Sequence, residues 1–267
     1  DLTEVCRRLA RRLQRSAETI RYTIKNFDSV HPEQAIFAER KTLDDAAKNE
    51  LYDLYEGGTP VEALSKQFDR SRSTVYQAIN EVQARRLLEK PLEYMHHASF
   101  EDAANDEAFL GPMPGEEAFQ EATRNLTPPR AVPAEMVHLY RAPLLNKEQE
   151  QHLFRQMNYL KYKLNTLRQT LDLNATRVGD LRHIEDLFTQ LRQVRERLIN
   201  CNTRLVASIA KKHAAQFDNL AELMSDGAIS LMRAVEKFDF SRGNKFSTYA
   251  TWAIMKNFAR SIPDEKH

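Results

Sequence analysis

Residues 187–238 read LFTQLRQVRERLINCNTRLVASIAKKHAAQFDNLAELMSDGAISLMRAVEKF, and the spacing within them decides the fold class. Leu187, Leu191, Val194, Leu198, Cys201, Leu205 and Ile209 recur at intervals of three and four, which is the period of one helix face. Leu220, Leu223, Met224, Leu231, Met232, Val235 and Phe238 repeat that pattern on a further helix. Upstream, Asn146 and Gln149 have the spacing of a capping box, and Leu153, Met157, Leu160 and Leu164 follow at four, three and four. Each stripe can leave water only by packing against another, so an antiparallel helical bundle is predicted, with Cys201 a small core residue in its seam.

Composition extends this to the whole chain. The 267 residues include only seven glycines, Leu, Ala, Arg, Glu and Gln are abundant, and alternating apolar runs are few, so the fold class is all-α. A hydrophobic content of 42% suffices for two domains, or for one with appendages. The net charge of +1 gives no bulk attraction to nucleic acid, so any attraction must be local. Residues 1–27 hold seven basic and three acidic side chains, whereas residues 98–135 hold two basic and eight acidic. The two cysteines, Cys6 and Cys201, have neither disulfide-scaffold nor zinc-ligand spacing, as in a protein of a reducing cytoplasm. No apolar run approaches the roughly 18 residues of a membrane span, and no leader pattern opens the chain. A soluble, cytoplasmic protein without membrane contact is expected. The chain begins at Asp1 without a methionine and stops at His267 in a charged stretch, as a fragment would.

Six of the ten prolines, Pro112, Pro114, Pro128, Pro129, Pro133 and Pro143, fall within 47 residues, which no long helix tolerates. Three parts follow: a front module at 1–97, an acidic Pro-containing linker at 98–139, and a rear module at 140–267. In the front module, Gly57-Gly58 should end a helix. Thr59-Pro60-Val61-Glu62 should start the next with a capping box and proline at the first helical position. Val61, Leu64 and Phe68 share a face, Asp69-Arg70 turn, and Ser71 can cap a helix with Val75, Ile79 and Val82 inward. That is a helix-turn-helix pattern, whose outward Arg72, Ser73, Tyr76, Gln77 and Asn80 suit duplex contact in a major groove. The plainer alternative is a helical hairpin in an interaction domain. Fifty-five residues earlier, Leu13, Arg15-Ser16, Thr19 and Ile20 stand as Phe68, Arg70-Ser71, Thr74 and Val75 do, behind the basic run Arg7 to Arg15, so two such units are plausible.

Words beyond periodicity are present. LINCNTRLVASIAKKHAAQFDNLAELMSDGAISLMRAVEKFDFSRGNKFSTYATWAIMKNFA, residues 198–259, closely resembles the second region of the primary-type sigma factors of bacterial RNA polymerase. YRAPLLNKEQEQHLFRQMNYLKYKL, residues 140–164, looks like region 1.2 of that family, with residues 165–187 as the connector. The resemblance spans about 140 to 262. It implies a transcription-initiation factor that binds core polymerase, recognises the promoter minus-ten element and captures flipped non-template bases. Phe238, Asp239, Arg242 and Tyr249 match the pocket for the flipped adenine; Asn202, Arg204, Leu205 and Ser208 match the pocket for the flipped thymine. Lys245, Phe246, Thr248, Trp252 and Lys256 complete the implied DNA surface. Glu222, Ser225, Asp226, Ala228 and Met232 occupy the positions that grip the coiled coil of the largest polymerase subunit. An anti-sigma or other regulator is a further partner that the resemblance admits, and family members continue into third and fourth regions.

Physical chemistry makes such residues apt. A flipped base loses a few kcal/mol of stacking, and a new aromatic partner returns about 1–3 kcal/mol. Phe238, Phe240, Phe246, Tyr249 and Trp252 supply rings, and Arg233, Lys237, Arg242, Lys245 and Lys256 supply phosphate contacts. The bland alternative for Phe246, Tyr249 and Ala253 is core at helical spacing. Departures exist: Trp252 is followed by Ala253 instead of a second tryptophan, Asn244 replaces an aromatic, Lys256 replaces the glutamine that reads the first base pair, and Ser225 and Ala228 replace longer polar residues. They imply a divergent or alternative sigma factor with altered duplex reading.

Other classes fit less well. Recombinases and transposases also carry helix-turn-helix units, but they need a nucleophile or metal-binding carboxylates in an α/β catalytic domain. The eight histidines, among them His96, His97, His183 and His213, lack ligand spacing to cysteines or carboxylates, so neither enzyme activity, metal nor cofactor is expected. A regulator acting through the front helix-turn-helix alone is the alternative reading. One further expectation concerns the acidic linker, which should fold back over the basic DNA face.

Overall fold

The computed structural model describes residues 2–31, 34, 43–89, 91–129, 134–140, 142–214 and 220–261. Part of the expected linker, 130–133, and the end of the rear module, 262–267, lie outside the described residues. Among those described there are eleven α-helices and no strand, so the protein is all-α. None of these helices is long and apolar enough to cross a membrane.

Contacts divide the chain at Gly58, well before the expected boundary at 97. The first unit, Asp1–Gly58, holds α1 (Leu2–Leu13), α2 (Ala17–Val30) and α3 (Asp45–Glu56). Cys6, Ile20 and Ile24 are buried together, with Leu9 and Ala10 packed on them, so α1 and α2 close as a hairpin. Ser16 caps α2 by accepting from the Thr19 amide at 3.0 Å, and Asp44 caps α3 by accepting from the Ala47 amide at 2.8 Å. Helix α3 ends at Gly57, as the sequence predicts.

The second unit, Thr59–His267, opens with α4 (Val61–Gln67) and α5 (Arg72–Leu88). Their hairpin is the predicted one, with Val61, Leu64, Val75, Ile79 and Val82 buried and Ser71 capping α5 through the Thr74 amide at 3.2 Å. The predicted capping box at 59–62 is not formed. Pro60 is itself the cap residue, with ψ 143° and no side-chain bond, and its carbonyl accepts the Leu64 amide at 3.1 Å. Proline can end an extended approach and offer its carbonyl to the first turn, so the helix starts one residue later than predicted.

The expected linker is instead a packed strap. After α5 the chain runs extended to short 3₁₀ turns at Ala98–Phe100 and Ala103–Asn105, then α6 (Asp106–Leu110) and α7 (Glu116–Arg124). Phe100, Phe109 and Met113 are buried in the same core as Ala84 and Leu88 of α5 and the main bundle. The Phe100 ring lies 5.3 Å from Tyr159 and 5.8 Å from Phe109. Polar groups of the bundle hold the strap backbone. Asn165 clasps Leu92, its Oδ1 accepting at 3.2 Å and its Nδ2 donating at 2.6 Å. Asn158, itself buried, accepts from the Met95 amide at 2.7 Å. Two of the strap's acids are bound here too. Glu116 takes Arg197 through both guanidinium nitrogens, at 2.8 and 3.0 Å, and Asp106 accepts from Lys163 and Tyr159. Two acids of the expected linker, Asp106 and Glu116, thus bind the bundle cations Lys163 and Arg197 instead of the cations of α10 and α11.

Asn158→Ala tests the strap. Loss of the carboxamide strands the Met95 amide, and about 1–3 kcal/mol of stability should go with it. Hydrogen exchange at Met95 should accelerate in parallel. An unchanged exchange rate would show that Asn158 does not hold the strap.

A 3₁₀ stretch, Ala134–Tyr140, leads to the bundle: α8 (Lys147–Thr170), α9 (Val178–Ala214), α10 (Leu220–Lys237) and α11 (Phe246–Ser261). The Asn146–Gln149 capping box starts α8 as predicted. The expected connector at 165–187 is mostly helix, because α8 continues to Thr170 and α9 begins at Val178, leaving a short turn. Leu153, Met157, Leu160 and Leu164 are buried, as are Leu187, Leu191, Val194, Leu198 and Cys201. Burial pushes the Cys201 thiol up to about 11, which keeps it protonated and inert. Buried Lys161 on α8 meets Glu236 of α10 at 2.5 Å, and Arg195 of α9 reaches the same carboxylate at 3.5 Å.

Candidate nucleic-acid interface

Helix α10 approaches both α9 and α11 closely because Gly227 lacks a Cβ. A Cβ there would lie 2.6 Å from Val206 Cγ1 and 3.3 Å from the Phe258 ring. On α11, Phe246, Ala250, Ile254 and Phe258 recur every fourth residue and are all fully buried. That register turns Trp252, Lys256 and Arg260 away from the core and leaves Tyr249 half-buried at its edge. On α10, buried Ala234 and Val235 likewise leave Arg233 and Lys237, one turn apart, exposed.

These two faces line an open cleft of about 200 Å³, formed by Ser230, Arg233, Ala234, Lys237, Tyr249, Trp252, Ala253, Lys256, Asn257 and Arg260. Four cations share it with two rings and no carboxylate, an arrangement that concentrates positive potential where a polyanion can enter. Trp252 is 60% exposed, and the Lys256 ammonium sits 4.6 Å from its ring centroid. Arg260 escaped the sequence reading. Its signal was the four-residue step from Lys256, matching the step from Arg233 to Lys237.

The loop between α10 and α11 is rigidly tied. Phe238 and Phe246 are buried, and with Phe154 of α8 they make a ring cluster at 4.7, 4.9 and 5.2 Å. Of the rings read from the sequence as base contacts, these two and Phe240, which is also buried, are therefore core. Phe238 and Phe246 support Tyr249, whose ring lies 5.6 Å from Phe238. Asp239 accepts from the Ser241 hydroxyl at 2.6 Å and from Arg242 Nε at 2.9 Å, and these bonds hold its carboxyl below the usual carboxylate range. Gly243, at φ +68°, lets the chain reverse toward α11. Glu150 of α8 accepts the Phe246 amide at 2.8 Å, placing an acid at the start of α11, though burial raises its pKa. Lys245 and Thr248 are exposed beside this turn.

The second expected pocket is not gathered. Asn202 donates back to Leu198 of its own helix at 2.8 Å, Leu205 packs on the core, and Ser208 is exposed. Arg204, two residues from Asn202 and so on another side of α9, donates to the Ala142 carbonyl at 2.8 Å and lies 5.3 Å over the Tyr140 ring.

On the outer face of α10, Ser225, Ala228 and Met232 line an apolar cavity of about 600 Å³ with Met136, Leu139, Ile199 and Met224. Met232 is 44% exposed and Ile229 is 41% exposed, which leaves an apolar helix face open to a partner. Glu222 is exposed and Asp226 half-buried; neither lines the cavity. Among the residues expected at a duplex, Arg72, Ser73, Tyr76 and Gln77 are exposed and Asn80 is half-buried. Arg72 meets Glu62 at 3.2 Å, while the Gln77 amide donates to the Asn174 carbonyl at 2.7 Å, so this face of α5 is partly engaged by the turn after α8. Among the described residues, no three His, Cys, Asp or Glu side chains converge as a metal would require.

Residues 198–266 match the family model of Sigma-70 region 2. The match takes in α10, α11 and the second half of α9, and with them the whole cleft. That part of the chain is therefore similar to the second region of the sigma-70 factors.

Proposed function

We propose that the chain opens promoters by holding unpaired non-template bases of the minus-ten element in the α10–α11 cleft, while the exposed face of α10 docks the coiled coil of the largest subunit of core RNA polymerase. The observation that carries this reading is the cleft: two accessible rings among four cations, inside the residues matched by the family model. Tyr249 and Trp252 offer stacking surfaces to bases that leave the duplex, and Arg233, Lys237, Lys256 and Arg260 neutralise the phosphates that follow. Arg242 and Lys245 extend the positive edge along the preceding loop. Phe238 and Phe246 act indirectly, by fixing the position of Tyr249. Ser225, Ala228 and Met232, with their apolar surroundings, form the polymerase contact. Binding, orientation and stacking are the whole of the mechanism; no bond is broken.

The test adds the chain to core polymerase with a forked minus-ten template that carries 2-aminopurine on its non-template strand. Fluorescence should rise only when both proteins are present. Lys237→Glu combined with Lys256→Glu should abolish the rise without loss of polymerase binding. Opening that survives this pair of changes would place the DNA contact elsewhere, and no opening by the unaltered protein would refute the role.

A further inference from the structure

The α1–α2 and α4–α5 hairpins are two copies of one structure, displaced by 55 residues. Cys6, Leu9, Ile20 and Ile24 take the apolar places of Val61, Leu64, Val75 and Ile79. Between the helices, Gln14 has φ +49° and Asp69 φ +50°, the protein's only two non-glycine residues of positive φ among those described. The Arg15 amide donates to the Ala10 carbonyl at 3.2 Å, as the Arg70 amide does to the Ser65 carbonyl at 3.0 Å. Ser16 and Ser71 then cap the second helix through Thr19 and Thr74. A tight left-handed turn into a serine-capped helix is helix-turn-helix geometry, met twice.

The copies differ in what they expose. Helix α5 is held within its own unit, since Ala84 and Leu88 lie in the main core and Gln77 is bonded to Asn174. Helix α2 presents Tyr22, 74% exposed, together with Lys25 and the half-buried Arg21. Charge separates the copies further. Where the first copy has Arg7, Arg8, Arg11, Arg12, Arg15, Arg21 and Lys25, the second has Glu62, Ala63, Lys66, Gln67, Arg70, Tyr76 and Asn80. Arg7, Arg8, Arg11, Arg12 and Arg15 are all exposed, and none has an ion-pair partner among the described residues. Arginines four apart on one helix repel each other and weaken it, a cost that an anionic partner removes.

We infer that the α1–α2 hairpin binds duplex DNA, with Arg21, Tyr22 and Lys25 of α2 in the major groove and the arginines of α1 and its turn on the flanking phosphates. The α4–α5 copy serves as scaffold. This inference is independent of the role given to residues 198–266.

Fluorescence anisotropy of the whole chain with a labelled mixed-sequence duplex tests it. Arg8→Glu/Arg11→Glu/Arg12→Glu should weaken binding at least about tenfold and flatten the slope of log K against log salt by about three units. Lys66→Glu/Arg70→Glu/Arg72→Glu should leave both nearly unchanged. Arg11→Gln/Arg12→Gln, which keeps helix propensity without adding acid, should weaken binding in the same direction, with helicity by circular dichroism preserved. The inference is overturned by absent duplex binding, by equal losses from the two triple swaps, or by tighter binding to single-stranded RNA of the same length. It is equally overturned if only Lys237→Glu/Lys256→Glu removes duplex binding.

Discussion

Trp252→Ala is expected to leave the fold intact while weakening capture of an unpaired minus-ten strand by roughly 5- to 150-fold, equivalent to the about 1–3 kcal/mol that one base–aromatic stack contributes. Its ring is 60% exposed and stands over the cleft, so little packing is lost with it. The Lys256 ammonium, now 4.6 Å from that ring, loses its cation–π partner and keeps its charge. The change should therefore leave the salt dependence of binding near that of the unaltered protein, since no phosphate contact is removed. Anisotropy with a single-stranded minus-ten oligonucleotide and core polymerase reads the loss, and thermal unfolding reads the fold. Unaltered capture would mean that no base stacks on this ring.

Phe246→Ala should act in the opposite order, with stability failing first. The ring is fully buried between Phe154 at 4.9 Å and Phe238 at 5.2 Å, and removal of such a side chain costs about 3–5 kcal/mol. Strand capture should fall with the folded fraction, and further as Phe238 shifts under Tyr249. Phe246→Leu fills most of the volume and should restore most of the stability, as denaturant unfolding would report. If Phe246→Ala retained its stability and lost only DNA, the residue would be a direct contact and its place in the core would be wrong.

Together these two substitutions separate what pattern can and cannot tell about aromatic residues. Phe246 and Trp252 lie six residues apart on one helix, both within words that resemble promoter-opening proteins, and both read as base contacts. Helix phase puts one against Phe154, which lies about ninety residues earlier, and the other at the cleft. Neither residue type nor the surrounding words distinguish them. Arg204 gives the same lesson on α9: its guanidinium is engaged by Ala142 and Tyr140, and only the path of the preceding segment reveals this.

Local chemistry was decisive wherever the partners lie within a few residues. The stripes at intervals of three and four, the Asn146–Gln149 capping box, the serine caps at Ser16 and Ser71, the helix stop at Gly57 and the seam position of Cys201 were legible because one turn of backbone satisfies each. The strap at 91–126 was not legible. Its acids and prolines have the composition of a linker, yet Phe100, Phe109 and Met113 are buried and its backbone is bonded to Asn158 and Asn165, more than sixty residues on. Composition measures how much apolar surface a segment holds, and a few anchors with well-placed polar partners suffice where the average is poor. Which of two matching helix-turn-helix copies keeps a free outer face was likewise decided by tertiary contacts, since the docking of Ala84, Leu88 and Gln77 depends on residues far along the chain. By itself the sequence determined the long bundle helices, the caps at Ser16, Ser71 and Asn146 and most of the inward faces, because those follow from the period of the backbone. Exposure, and with it the cleft, was decided only when distant helices met and excluded water from one face of each.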